Sequence, residues 1–451
     1  MTYPDLRYIL SLNSGSSSLK ISLYSQHRNE LGSVSEPVSL VLTSSISNIS
    51  APPAQFSFKL ANPTDDSSNN SKSDASDAIT DHESAFRHFL EILESQASID
   101  RKHITYICHR VVHGGNYNQS IIINDKTYHH IEKLSDLAPL HNGAALSVIK
   151  ACISALPEAK SVAYFDTTFH STIPLHIASC AIDQDIAKKR GLKKYGFHGL
   201  SYSFILRAVS RFLNKPPVDL NLILLHLGSG ASACVVKNGK SYDTSMGLTP
   251  LNGLPGATRS GSIDPSLIFH YTNKAGRITH DPSMATNVQV TTAEDILNRK
   301  SGWKAITGTT DFGVITAHAE LDDPDPEIAA RNPNRLAFDL FVDRIMLYIG
   351  GYHLKLGGNV DALVFAGGIG ERGTELRSVL SERVACLGYC KIDDDRNKNA
   401  VKGDAIVVDI SAEEKAPRHI KGKRILVCKT DEQIEMARQC ALDQRFWEKK
   451  N

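Results

Sequence analysis

The sequence predicts an α/β protein made of two similar domains, each a mixed sheet flanked by helices. Three observations lead there. At 451 residues the chain exceeds one ordinary domain. An apolar run, a Gly/Ser turn and a second apolar run occur twice, about half a chain apart. Strand-length apolar runs then alternate with stretches of helical periodicity.

The first repeat runs from residues 8–12 through Asn13-Ser14-Gly15-Ser16-Ser17-Ser18 into residues 19–24. It reads as a β-hairpin with a small, polar tip. Such a tip lets backbone N–H groups and hydroxyls approach a phosphate. Residues 30–80 differ from the rest of the chain. Residues 37–42 and 55–60 are strand-like, but 61–77 are almost purely Ser, Asn, Asp and Lys. That composition cannot offset its ordering entropy, so an exposed, mobile loop is expected at 61–77. Residues 81–94 have helical spacing, with Asp81 as N-cap.

Residues 104–108 form a short strand that delivers His109 and Arg110. Residues 144–155 are helical, and 161–165 form a strand ending at Asp166. A helix spans 202–213. The second hairpin follows: residues 221–225, the turn His226-Leu227-Gly228-Ser229-Gly230-Ala231-Ser232, and residues 233–236. A long helix over 337–356 stops at Gly357-Gly358. A buried strand over 360–365 ends in Ala366-Gly367-Gly368-Ile369-Gly370-Glu371, and a helix follows. Residues 424–428 are a strand, and 431–446 the terminal helix.

Composition narrows the function classes. The 41% hydrophobic and 22% charged content supports buried cores. A net charge of +1 gives no reason to expect nucleic-acid or membrane binding through bulk charge. No apolar run reaches the roughly 18 residues of a membrane span. Asp5 and Arg7 make the start unlike a signal peptide. The eight cysteines are scattered without a CxxC pair or a zinc pattern, which reads as reduced thiols in a cytoplasmic protein.

Asn13, Arg110, Asp166 and Glu371 stand at the ends of apolar strands, with Glu432 just beyond the last one. Open α/β sheets place ligand sites there. Three His-containing tracts accompany them: residues 138–143, 165–170 and 195–199. A fourth tract runs from Asp243-Thr244-Ser245-Met246-Gly247-Leu248-Thr249-Pro250 to Ala257-Thr258-Arg259-Ser260-Gly261.

Taken together these tracts resemble the acetate kinases, the acetokinase branch of the actin-like, sugar-kinase and Hsp70 superfamily. Residues 13–20 match the first signature of that family and 243–250 the second. Phe165-Asp166-Thr167, Tyr195-Gly196-Phe197-His198-Gly199 and Gly367-Gly368-Ile369-Gly370-Glu371 complete a very specific combination. The resemblance covers nearly the whole chain apart from 30–80.

The resemblance implies two duplicated actin-like (ribonuclease H-like) domains. The first is 1–170, with the Ser-rich insertion at about 31–80, completed by a helix at about 434–451. The second is 171–433, nucleotide-binding and dimerising, with the cleft between the two. The implied reaction is reversible, direct in-line phosphoryl transfer between ATP and acetate, giving ADP and acetyl phosphate. Mg²⁺ is the implied metal, with Mn²⁺ as an alternative, and the implied assembly is a homodimer.

Site residues follow from the same resemblance. Arg110 and Arg259 are active-site arginines; two guanidinium groups would reduce repulsion between an anionic acid and the γ-phosphate. His198 contacts the transferring phosphoryl group, with His141 beside it. Acetate is already an anion, so no base is needed and Asp166 is read as positioning or Mg²⁺-organising. Glu432 is tied to the metal, with Asn13 close to it. Ser16, Ser18 and Lys20 contact phosphate from the first hairpin, and His226, Gly228, Ser229 and Gly230 from the second. Asp311 and the Gly367-Gly368-Ile369-Gly370 turn hold the nucleotide. Val112, Leu140, Phe197 and Pro250 line a pocket for the methyl group. Each residue has a plainer alternative: an arginine in a structural ion pair, a core histidine, a turn serine, a helix-start glutamate.

Three departures from the family pattern fall on the nucleotide side. Ser229 stands for an Asn. Thr309-Thr310-Asp311-Phe312-Gly313 lacks the family arginine. Pro255-Gly256-Ala257 replaces Met-Met-Gly. Alternatives are a pyrophosphate-linked acetate kinase, a propionate kinase and a non-catalytic actin-like nucleotide switch. A sugar kinase needs a wide polar pocket and a base for a neutral hydroxyl, which this chain does not offer.

Overall fold

The computed structural model describes residues 7–15, 17–27, 36–61, 71–134, 139–277, 290–325, 327–412 and 422–447, with backbone only at 139–141. The chain forms two compact units, Met1–Thr168 with Asp431–Asn451, and Phe169–Thr430.

The first unit carries an eight-stranded sheet in the order β5-β4-β3-β2-β1-β6-β8-β7. Its strands are β1 Tyr8–Gly15, β2 Ser18–Gln26, β3 Val38–Ser47, β4 Ala54–Leu60, β5 Ser71–Ser76, β6 Ile104–Val111, β7 Ile121–Ile122 and β8 Lys160–Phe165. Strands β1 to β5 form an antiparallel meander. Strands β1, β6 and β8 run parallel. Alternate side chains of β2, β3 and β4 (Leu19, Ile21, Leu42, Ile46, Phe56, Phe58) enter one core with Phe86, Phe89 and Leu90 of the helix His82–Ala97. Asp81 caps that helix in a reciprocal pair with Ser84, an arrangement worth about 0.5–2 kcal/mol.

The second unit repeats the pattern with six strands in the order β11-β10-β9-β12-β14-β13. They are β9 Leu222–His226, β10 Ser232–Lys237, β11 Lys240–Thr244, β12 Ala362–Ala366, β13 Val407–Asp409 and β14 Arg424–Cys428. Strands β9 to β11 are antiparallel, and β9, β12 and β14 are parallel. Strands β12 and β14 are apolar on both faces, as expected of strands covered on both sides. The long helix Pro333–Lys355 lends Phe338, Phe341, Ile345 and Ile349 to this core. Both sheets are therefore mixed and helix-flanked, and a hairpin opens each one.

Two expectations need correction. Residues 71–76, read as loop, form the edge strand β5, paired with β4 from Ser71 to Ser76. Backbone hydrogen bonds hold this strand, and its side chains alternate between exposed and half-buried with no apolar core. The rest of that loop, 62–70, lies outside the described residues. The terminal helix is also broken, into Glu432–Leu442 and Gln444–Trp447. Asp443 ends the first piece in an extended conformation. No helix among the described residues is long and apolar enough to cross a membrane.

Candidate active site

In the first unit, parallel strands bring four polar side chains to one end of the sheet. Asn13 lies near the end of β1, Arg110 near the end of β6, and Asp166 directly after β8. Asn13 and Arg110 thus sit inside their strands. Glu432 opens the helix Glu432–Leu442, whose N-cap Asp431 accepts from the Gln433 and Ile434 amides. Arg110 is the hub. Its Nη2 donates to Asp166 Oδ2 at 2.8 Å and its Nε to the same oxygen at 3.2 Å. Its Nη1 faces Glu432 Oε2 at 3.1 Å and donates to Asn13 Oδ1 at 3.2 Å. Asn13 Nδ2 closes the ring by donating to Glu432 Oε2 at 2.8 Å.

The Asp166 side chain is 1% exposed and that of Arg110 17%. Burial alone would lower the Arg110 pKa, but Asp166 and Glu432 outweigh it and raise it, so the guanidinium stays charged. Nearby, Asn142 brackets His113, accepting from its amide at 3.0 Å and donating to its carbonyl at 3.1 Å. Gly114 is needed because a Cβ there would lie 2.4 Å from Phe165 Cγ.

In the second unit, the β9–β10 hairpin tip is clasped from two directions. The Gly367–Gly370 turn opens the helix Gly367–Arg372 directly after β12. The amides of Ile369 and Gly370 donate to Leu227 O at 2.8 and 3.1 Å. Gly367 has φ +75°, and a Cβ there would lie 2.7 Å from Leu227 O. Only glycine meets both conditions at low cost. From the other side, the Ala257 amide donates to Ser229 O at 2.8 Å. A Cβ on Gly256 would lie 2.6 Å from that same oxygen. The Pro255-Gly256-Ala257 departure therefore keeps a glycine at the close approach.

This clasp brings Arg259 over the tip. A Cβ built on Gly230 would sit 3.1 Å from Arg259 Nη1 and 3.8 Å from His198 Nε2. His198 itself is in the left-handed region, φ 58°, just before the helix Gly199–Leu213. Its ring lies 4.2 Å from that of His226. Its Nδ1 is 2.9 Å from Ser232 Oγ, and Ser232 Oγ is 2.5 Å from Tyr202 Oη. Ser201 Oγ meets His226 Nδ1 at 2.7 Å. The geometry supplies an arginine, two histidines and a small-residue tip, the donor set expected around phosphoryl oxygens.

The acetokinase family model matches residues 8–438 of this chain. The chain belongs to the acetokinase family. A protein of Emericella nidulans described as a probable acetate kinase is 47% identical over 442 residues, covering 97% of this chain and 98% of its own. The structure is also similar to that of a propionate kinase from Francisella tularensis subsp. tularensis. The two share 31% of residues, with a TM-score of 0.78 and coverage of 96% and 99%. Similarity to Porphyromonas gingivalis acetate kinase is 28% identity and a TM-score of 0.74, with coverage of 96% and 98%.

The remaining residues implied by the acetokinase resemblance are placed as follows. Lys20 pairs with Asn13 across the first hairpin and is exposed. Ser18 starts β2 opposite Gly15. Gly228 is half-buried and the Ser229 side chain points outward at the second tip. Gly368 is exposed at its turn, and Ile369 half-buried. Asp311 caps the short helix Phe312–Ala317, accepting from the Gly313 amide at 2.8 Å. Val112 is half-buried after β6, whereas Phe197 and Pro250 are buried in the second unit. Ser16 lies outside the described residues, as do the side chains of Leu140 and His141.

Sequence reasoning missed the groups that hold this acetokinase site in shape. Ser232, Tyr202 and Ser201 grip the two histidines. Ser201 and Tyr202 lie three and four residues after His198, the spacing of one helical turn, and that was the available signal. Arg377 was invisible, since it grips backbone carbonyls and Asn397 through contacts that no local periodicity marks. It is almost fully buried and donates to Gly370 O at 2.8 Å, Glu371 O at 2.7 Å, Asn397 Oδ1 at 2.7 Å and Asn397 O at 2.8 Å. Burial lowers its pKa to about 10. Asp243, which opens the second signature, is buried between Lys194 and Lys355.

Proposed function

We propose that this chain is an acetate kinase that transfers the γ-phosphoryl group of ATP to acetate, reversibly and in line. The observation that carries the reading is the meeting of Arg259 and His198 over Gly230. Transfer of this kind needs positioning and charge compensation on the phosphoryl oxygens more than covalent help. Arg259 supplies charge and paired donors, and His198 Nε2 a further donor. The Gly367–Gly370 turn is the seat for the nucleotide. Phe197 and Pro250 supply apolar surface for the acid's methyl group.

Arg110 is the partner for the acid's carboxylate. Its fork is already engaged by Asp166, so Asp166 orients the guanidinium and keeps it charged. No proton needs to be removed from acetate, and Asp166 serves no base function here.

Mg²⁺ suits the oxygen donors of the first unit. Glu432 engages Arg110 and Asn13 through Oε2, so Oε1 would be the atom to hold the ion. When bound, Mg²⁺ neutralises phosphate charge. Among the described residues no trio of His, Cys, Asp and Glu gathers as a self-sufficient metal site.

The same reading makes the protein a cytoplasmic homodimer. Phe269 and Tyr271 of the helix Leu267–Tyr271 are exposed, as are Leu347 and Leu354 of the helix Pro333–Lys355. These apolar side chains are the surface for pairing. Sedimentation analysis should give twice the chain mass.

The experiment for the function is a screen of acetate, propionate and butyrate with ATP, trapping the acyl phosphate with hydroxylamine. Acetate should give the highest kcat/KM. Propionate should follow within about 10–200-fold, because one methylene is worth only about 1–3 kcal/mol. A preference for propionate would replace acetate in this reading and leave the phosphoryl-transfer half standing.

A further inference from the structure

We propose that Tyr202 and Ser232 are positioning residues that hold His198 in the tautomer with its proton on Nε2. This rests on the reading of His198 as a donor to the transferring phosphoryl group. The hydrogen bonds form a directed chain. Among the described residues, the hydrogen-bond partner of Tyr202 Oη is Ser232 Oγ, and burial keeps water away. A buried phenol must place its own proton on an acceptor. Its acceptor is Ser232 Oγ, 2.5 Å away. The Ser232 proton is then directed to His198 Nδ1 at 2.9 Å. Nδ1 becomes an acceptor, and a neutral imidazole with an accepting Nδ1 carries its proton on Nε2. Nε2 is the nitrogen that faces the Gly230 tip beside Arg259.

Burial fixes the direction. Tyr202 and Ser232 are both fully buried, so neither proton can turn to water. Burial also raises the Tyr202 pKa well above the usual phenol value, which keeps the hydroxyl protonated. If the chain ran the other way, the Tyr202 hydroxyl would accept from Ser232 and leave its own proton buried without an acceptor, a cost of about 1–3 kcal/mol. Among the groups near His198 are the His226 ring, Ser232 Oγ and Arg259.

The functional gain is a donor already aimed at the tip. A histidine with both nitrogens free would divide its population between tautomers, and only one of them donates at the tip. Ser232 and Tyr202 remove that division before substrate arrives, a form of preorganisation.

The test uses the full-length protein labelled with ¹⁵N-histidine. The His198 resonances are identified by their loss in His198→Asn. The wild type should show a protonated Nε2 and a bare Nδ1. Ser232→Ala should lose this single-tautomer signature and lower kcat about 10- to 100-fold, the range typical of groups that orient a functional histidine. Acetate KM should not change. Tyr202→Phe removes only the head of the chain, so its loss should be smaller and in the same direction. Either of two results overturns the proposal: a wild-type His198 protonated on Nδ1, or a Ser232→Ala protein that keeps both tautomer and kcat. A His198→Asn protein with wild-type kcat would instead overturn the site reading beneath it.

Discussion

Arg110 holds Asp166 through two nitrogens, Nε at 3.2 Å and Nη2 at 2.8 Å from the same carboxylate oxygen. The pair is buried, and Glu432 completes it on the far side of the guanidinium. Removing the arginine would take their shared cationic partner from two carboxylates in a low-dielectric place. Arg110→Ala should therefore lose about 3–5 kcal/mol of stability as well as activity. Urea unfolding of the variant tests the first part and steady-state turnover the second. A variant as stable as the wild type would show that other groups or water compensate for the lost charge at Asp166.

Gly230→Ala separates chemistry from folding. The φ of Gly230 lies outside the left-handed range, so alanine is tolerated by the backbone. Its Cβ would press on Arg259 Nη1 at 3.1 Å, a flexible end that can move. The melting temperature should stay within a few degrees while kcat falls. Displacing a transition-state donor costs about 10²–10³ in rate. An unchanged kcat would place the transferring group away from this tip.

His109 predicts an acid limb to the stability curve. It is buried, with Nε2 on Ser161 Oγ at 3.1 Å and no partner for Nδ1 among the described residues. Burial depresses its pKa to about 3 from 6.5. The unfolded chain binds this proton below about pH 6.5, whereas the folded one refuses it until about pH 3. Stability is thus lost as pH falls through that window. Between pH 7 and pH 5 this one group costs about 2 kcal/mol. His109→Gln should lose that much less than the wild type over the same interval. Equal losses would mean that His109 titrates normally in the folded state.

Arg377 predicts a coupling between stability and nucleotide binding. It holds the carbonyls of Gly370 and Glu371, at the end of the nucleotide turn, to Asn397. Arg377→Met would leave those carbonyls unpaired, at roughly 1–3 kcal/mol each. The variant should be less stable, and ATP KM should rise more than acetate KM. Equal changes in both constants would make Arg377 a core residue with no special link to the turn.

The hairpins, the parallel strands and the Asp81 cap were legible because apolar periodicity and turn chemistry are local signals. So were the tracts that carry Arg110, Asp166, His198 and Arg259. Strand β5 was not legible, because Ser-Lys-Ser-Asp-Ala-Ser has no apolar face and is held by backbone pairing to β4. The break at Asp443 was hidden by continued apolar spacing up to Phe446. The engagement of Arg110 by Asp166 and Glu432 joins residues 56 and 322 positions away, which no window along the chain can see. Arg377 and Ser232 were also missed: their partners meet only in the fold.

The central claim is that this chain makes acetyl phosphate from ATP and acetate, with Arg259 stabilising the transfer. The direct measurement is hydroxamate-trapped acetyl phosphate formed by the wild type and by Arg259→Ala, with ATP and with pyrophosphate as donors. Circular dichroism should be used to confirm that both proteins are folded. The account predicts rapid, Mg²⁺-dependent formation from ATP by the wild type and a loss of about 10²–10³-fold in the folded variant. Formation from pyrophosphate alone, or a folded Arg259→Ala protein with wild-type turnover, would contradict it.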